Sequence, residues 1–201
     1  MKIKNFQGTK GLIIAVVLVL LVVGYFYYLS NRGYNSSKQK DVELTAADEL
    51  LLMNFNINYP PTPKEVVRHY LEFTKVLHNE KLTDEEVEKV GTKLQELFDT
   101  ELVENKSGDD YLKDLKSELM TFKNNDYSIV NMYTSAAADV EYFNLDGYEC
   151  AGLYGTFNIR TAKGTQVLRE VFILRKDEKG HWKIYGFVPV TDEELMAGEM
   201  P

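Results

Sequence analysis

The sequence predicts an α+β fold, with an N-terminal transmembrane helix followed by three helices packed on a bent, four- to five-stranded antiparallel sheet. Three observations lead to this prediction. Residues 11–29 form an uncharged apolar run, residues 62–124 show amphipathic helical spacing, and aromatic and β-branched segments divided by turn residues follow residue 125. Helices first and strands afterwards are typical of the α+β class.

The transmembrane prediction depends on the segment GLIIAVVLVLLVVGYFYYL at 11–29. At about 1.5 Å per residue it spans roughly 28 Å, close to the thickness of a bilayer core of about 30 Å. Tyrosines cluster at its C-terminal end, where aromatic rings favour the membrane interface. A cleaved signal peptide is the alternative, because Val22 and Gly24 suit a cleavage site, but the apolar run is longer than such peptides use.

Basic residues flank the apolar run equally, so the positive-inside rule does not decide its orientation. Long domains are translocated largely regardless of charge. We therefore expect a single-pass cell-membrane protein with a signal anchor, a cytoplasmic tail at 1–10 and the remaining chain on the extracytoplasmic side.

Charge and cysteine content exclude several functions. The chain carries a net charge of −8; since its first 40 residues hold six basic residues and no acid, the other 161 residues carry −14. Such an acidic domain repels phosphate backbones, which excludes a nucleic-acid partner. The single cysteine, Cys150, permits neither an internal disulfide nor a cysteine-based zinc site.

Composition divides the remaining chain into a stalk or linker at 30–54, a folded domain at 55–190 and an acidic tail at 191–201. Within the linker, residues 42–53 have a weak helical signal. Two alternatives stay open for them: a short helix, or a segment that lies along the domain.

Two helix starts are marked by capping residues. Thr62 is a suitable N-cap before Pro63, and Glu65 completes the capping-box pattern. Thr83 and Glu86 repeat that pattern for a second helix. A third amphipathic helix is predicted near 110–124 from its leucine spacing.

The C-terminal part reads as an antiparallel meander. Asp146-Gly147 is a strong two-residue hairpin signal, and Lys163-Gly164 suggests the next turn. Strands are predicted at 127–135, 138–145, 148–161, 165–176 and 181–188.

Two segments carry a family resemblance: NYPPTPKEVVRHYLEFTKVLHNEKLTDEE at 58–86 and VFILRKDEKGHWKIYGF at 171–187. They resemble uncharacterised membrane-anchored proteins of Gram-positive, clostridial gut bacteria, a resemblance that implies no activity and no site residues. The order of elements resembles the nuclear transport factor 2-like, cystatin-like cone, in which helices pack into a bent sheet. It also resembles, more distantly, the inner-membrane scaffold domains of type IV secretion and conjugation systems.

The sequence contains no catalytic, cofactor-binding or metal-binding motif. Its histidines, His69, His78 and His181, are not spaced as metal ligands, and we expect none to be catalytic and no cofactor to be bound. If the cone encloses a cavity, Tyr70 and Tyr133 are candidates to line it, the alternative being half-buried packing residues.

Strand alternation places apolar residues on both faces of the sheet. One face is predicted to bind a partner, either another membrane or surface protein or a second copy, unless residues 42–57 or the C-terminal tail cover it. Its residues are Tyr154, Phe172, Leu174, Tyr185 and Phe187.

We therefore expect a non-enzymatic protein-interaction or scaffold module. The alternative is a small-molecule-binding domain, or a hydrolase or isomerase of the cone type. A deep pocket with a buried carboxylate or histidine would favour the alternative, and a filled cone the interaction module.

Overall fold

The computed structural model describes residues 44–191, which belong to one compact unit. The predicted cytoplasmic tail, the transmembrane run at 11–29, most of the linker and residues 192–201 lie outside the described residues. Within 44–191, no helix is both long and apolar enough to cross a bilayer.

The domain begins with a helix, α1, at Ala46–Leu52. Thr45 and Asp48 form a capping box at its start, and the helix buries Ala47 and Leu50 in the core. The compact unit thus starts at residue 44, before the expected boundary at residue 55, because two apolar residues one turn apart give this short helix a packing face.

Helix α2 spans Pro63–Asn79 and α3 spans Asp84–Leu94, as the capping residues predicted. The box at Thr83 and Glu86 is complete. At α2 the Thr62 hydroxyl accepts from the Glu65 N–H and contacts the Glu65 carboxylate, but the reciprocal bond to the Thr62 backbone is missing. A 3₁₀ turn at Gln95–Leu97 ends this part of the chain.

Helix α4 at Thr100–Glu104 is a short element that the sequence did not predict, whereas α5 at Gly108–Asn124 matches the third predicted helix. All five predicted strands are present within three residues of their expected limits. They are β1 Ser128–Thr134, β2 Glu141–Leu145, β3 Tyr148–Thr161, β4 Gly164–Lys176 and β5 Trp182–Val190. The largest difference is at the start of β2, where a 3₁₀ turn occupies Ala137–Asp139.

The five strands form one antiparallel sheet, of which β2 to β5 are a meander. Strand β1 departs from the predicted meander, because it pairs with the C-terminal half of β3 while β2 pairs with the N-terminal half. The 14 residues of β3 are long enough to accept two short strands end to end. Strands β1 and β2 therefore share one edge of the sheet.

The helices cover one side of this sheet, which we call the inner face, and the opposite side is the outer face. Leu153, Phe172 and Leu174 on the inner face are fully buried. A Cβ at Gly155 would lie 2.7 Å from the Phe172 ring and 3.1 Å from Leu71. Glycine at this position therefore permits the close packing of the sheet on the helices.

A β-bulge changes the alternation of side chains in β5. Phe172 pairs with Phe187, and Leu174 pairs with Ile184. Phe172 and Leu174 are two positions apart on β4, whereas Ile184 and Phe187 are three positions apart on β5. Phe187 and Ile184 consequently both face the helices. Tyr185 lies on the outer face, where its ring is 4.5 Å from the Arg175 guanidinium.

Candidate functional site

The structure divides the five residues of the predicted interaction face between the two faces of the sheet. Phe172 and Leu174 are fully buried on the inner face, and Phe187 packs beside them. Only Tyr154 and Tyr185 are on the outer face, and both are half-buried. The predicted face was therefore not one surface, because the register of β3 with β4 pairs Phe172 with Leu153 rather than with Tyr154.

The two cavity candidates are also separated. Tyr70, on α2, is buried among aromatic rings, with its centroid 5.0 Å from Phe172 and 5.2 Å from Phe187. Burial raises the pKa of the Tyr70 phenol well above its usual range, and the nearby Glu170 carboxylate adds to that shift. Tyr133 pairs with Thr156 on the outer face and is 49% exposed, so it lines no interior space.

Glu170 is an inner-face carboxylate that the sequence analysis missed. In the sheet register it lies opposite Gly155 and Pro189, neither of which offers a polar side chain. Its Oε2 atom is buried without a hydrogen-bond partner. Burial raises the pKa of Glu170 to about 7, with Glu118 adding to the shift and His78 opposing it. Strand alternation places it on the same face as Phe172 and Leu174, but nothing local marks it as unusual.

Each histidine has a structural partner. His78, whose side chain is nearly buried, has Nδ1 2.8 Å from the Thr74 carbonyl and Nε2 3.1 Å from Glu118, and thus ties α2 to α5. His69 bonds Glu72 within α2, and His181 stacks on Tyr59. Within the described part of the chain, no three His, Cys, Asp or Glu side chains are placed to hold a metal ion.

We expect Glu170→Gln to stabilise the domain at pH 8. The folded state binds a proton at Glu170 more tightly than the unfolded state, so this group lowers the free energy of unfolding as pH rises from its ordinary pKa of 4.5 to about 7. The cost above pH 7 is about 3 kcal/mol. Urea denaturation at pH 4.5 and pH 8 should show the variant more stable by that amount at pH 8 and little changed at pH 4.5.

The control for this prediction is Glu141→Gln, which alters an exposed glutamate of the same sheet and should leave stability nearly unchanged. If Glu170→Gln gives no gain at pH 8 over pH 4.5, the Glu170 carboxylate is not held in an environment that disfavours its charge.

A charged cluster on the outer face joins the helices to β4 and β5. Arg175 donates to both carboxylate oxygens of the buried Asp99, at 2.6 and 3.0 Å, and its guanidinium lies between the rings of Tyr148 and Tyr185. Asp99 also caps α4, and its N–H donates to the Ile184 carbonyl at 2.8 Å. Arg175 also pairs with Glu101 at 3.0 Å, so the cluster fastens the chain at Asp99 and α4 to the sheet.

Exposed apolar side chains are concentrated in the hairpin of residues 141–148, here called the hairpin arm. Its Asp146-Gly147 turn has φ values of 52° and 87°, which confirms the predicted two-residue hairpin. All five residues of β2 are exposed. Large apolar side chains of the arm are exposed by 36–63%: Tyr142, Phe143, Leu145 and Tyr148.

Beside the hairpin arm lies an open groove of about 300 Å³, lined in part by Tyr142, Phe143, Lys176 and Trp182. The Lys176 ammonium lies 4.9 Å from the centre of the Trp182 ring and forms an ion pair with Glu149. The groove thus combines aromatic rings with a paired charge. Asn144, Glu149 and the buried Cys150 complete its lining.

The fold and the hairpin arm define an α+β domain with helices on one face of its sheet and an exposed apolar edge. The chain belongs to the family described as "Domain of unknown function (DUF6715)", whose model matches residues 1–187. The match includes the N-terminal segment as well as the folded domain. The comparison with curated proteins gives no match.

Among solved structures, the chain is similar to a protein described as the transfer protein TraH of the Gram-positive conjugative plasmid pIP501, determined by solution NMR. The two are 14% identical, the alignment covers 66% of this chain and 97% of that one, and the TM-score is 0.33. A similarity of this extent carries no argument about function. The nuclear transport factor 2-like cone and the Gram-positive source stay predictions.

Proposed function

We propose that this chain is a non-enzymatic protein-interaction module, held at the cell membrane by residues 11–29 with its folded domain on the extracytoplasmic side. The observation that supports the interaction role is the hairpin arm, where four large apolar side chains are exposed within eight consecutive residues. Exposed apolar surface concentrated in one place is typical of a surface that binds another protein.

The shape of the arm favours a protein partner over a small molecule. Small ligands bind in concave sites that enclose most of their surface, whereas the arm is an edge hairpin beside a shallow groove. Tyrosine and phenylalanine supply much of the binding energy at protein interfaces, and the arm offers Tyr142, Phe143 and Tyr148.

The alternative is a small-molecule-binding domain, and the observation that supports it is the carboxylate of Glu170. A carboxylate on the inner face with a buried, unpartnered oxygen meets part of the criterion for a cone-type ligand site. The neighbouring inner face, however, is filled by the packed rings of Tyr70, Phe172 and Phe187. The filled interior therefore favours the interaction module.

Site-specific photo-crosslinking in native membranes tests the proposal. With a benzophenone side chain replacing Tyr142 in the full chain, we expect the protein to stay in carbonate-washed membranes and to form adducts of defined mass with protein after irradiation. The matched control carries the same group at Lys163, an exposed position in the turn between β3 and β4, and should give none.

Release of the chain by carbonate would refute the membrane anchor. Equal adducts at both positions, or none at Tyr142, would refute the hairpin arm as an interaction surface.

A further inference from the structure

Strand β2 has an open hydrogen-bonding edge. It pairs with β3 on one side, and within 44–191 no strand pairs with its other side. Because the two-residue turn makes Leu145 and Tyr148 a hydrogen-bonded pair, alternation directs the backbone N–H and C=O groups of Tyr142 and Asn144 away from β3. The edge therefore presents two donors and two acceptors.

Proteins usually protect such edges with lysine, proline or a covering element. The segment Glu141–Leu145 contains neither lysine nor proline, and each of its residues is exposed. Its apolar side chains are on both faces of the sheet, with Tyr142 on the inner side and Phe143 and Leu145 on the outer side.

The same segment is complementary to itself in the antiparallel direction. Pairing two copies about Phe143 sets Tyr142 opposite Asn144 of the second copy and Glu141 opposite Leu145 of the second copy. Tyr142 and Asn144, whose backbone groups point away from β3, then meet as hydrogen-bonded pairs. The two pairs give four hydrogen bonds across the two-fold axis. Phe143 lies opposite Phe143 of the second copy in a close non-hydrogen-bonded pair, which is a favourable aromatic contact. No two like charges lie opposite each other.

We propose that the β2 edges of two copies of this chain pair antiparallel about a two-fold axis at Phe143, joining their sheets into one continuous sheet. This inference rests on the proposed interaction role of the hairpin arm and specifies its partner as a second copy. A two-fold contact of this kind uses the same surface on both copies, which is the commonest symmetry of protein assemblies.

The acidic character of the domain sets the salt dependence of this contact. Two acidic copies repel one another, and added salt screens that repulsion. Self-association should therefore tighten as ionic strength rises. A basic protein partner on the same arm would show the opposite dependence.

The test is disulfide trapping of the full chain in membranes, with Phe143→Cys in a Cys150→Ala background, because Cys150 pairs with Phe143 across β2 and β3. A close non-hydrogen-bonded pair places the two Cα atoms about 4.5 Å apart, within the range of a disulfide. We expect covalent dimer at least about tenfold faster than from Val167→Cys, a 59% exposed control position on β4, in the same background.

Two further variants separate backbone pairing from side-chain contact. Asn144→Pro removes an outward N–H and should lower trapping at residue 143 by about tenfold or more, whereas Asn144→Ala keeps the N–H and should retain it. The melting temperature of each variant shows whether the domain stays folded.

Three results would overturn strand pairing between copies. They are disulfide formation at residue 143 that is no faster than at residue 167, that is unaffected by Asn144→Pro, or that is weakened by added salt. If trapping fails while benzophenone at Tyr142 still captures a different protein, this inference is wrong and the proposed function stands. If neither experiment gives a product, both are wrong.

Discussion

Asp99→Ala should destabilise the domain by about 3 kcal/mol, near the lower end of the cost of removing one partner of a buried ion pair. Asp99 is 5% exposed and accepts two hydrogen bonds from Arg175, whose side chain is also largely buried. Without Asp99, the Arg175 guanidinium keeps only Glu101 and two aromatic rings, and α4 loses its N-cap. Urea denaturation of residues 44–201 measures the change.

Two controls identify the source of the loss. Glu101→Ala removes a carboxylate that is 55% exposed, so it should cost less than about 1 kcal/mol. The double variant Asp99→Ala/Arg175→Met should recover part of the stability, because it leaves no unpaired buried charge. A loss as large in the double variant as in Asp99→Ala would attribute the effect to the cap and not to the ion pair.

Phe172→Ala should cost about 3–5 kcal/mol, as expected for removing a buried aromatic side chain and leaving a cavity. Phe172 is fully buried and packs between Tyr70 and Phe187 against the glycine at position 155. Tyr154→Ala, on the half-buried outer face, is the control and should cost about 1 kcal/mol. Thermal and urea denaturation of residues 44–201 measure both changes.

This comparison tests the assignment of the sheet faces directly. An interface residue on an open face would change association and leave the melting temperature nearly unaltered. If Phe172→Ala behaves in that way while Tyr154→Ala unfolds the domain, the inner and outer faces are reversed.

The secondary structure was predictable because its signals are local. The N-caps at Thr62 and Thr83 act on amide groups two or three residues away, and the Asp146-Gly147 turn requires positive φ at two adjacent residues. The weaker elements gave less: α1 was left open at 42–53 and α4 was missed, because short helices depend on tertiary packing and carry little periodic signal.

The interaction face was mispredicted because alternation defines two faces without saying which face of one strand matches that of the next. Register decides this, and a one-residue shift exchanges the faces. The bulge in β5 then separates Tyr185 from Phe187, which simple alternation would place together.

The sequence by itself determined the starts of α2 and α3, the approximate positions of the strands along the chain, the hairpin turn at 146–147 and the acidic charge. Only the tertiary structure brought Arg175 to Asp99, 76 residues away, left an oxygen of Glu170 without a partner, and made β2 an exposed edge. The physical reason is the distance along the chain over which each interaction acts. Caps and turns act over a few residues, whereas burial, ion pairing and edge exposure depend on which distant segments pack together.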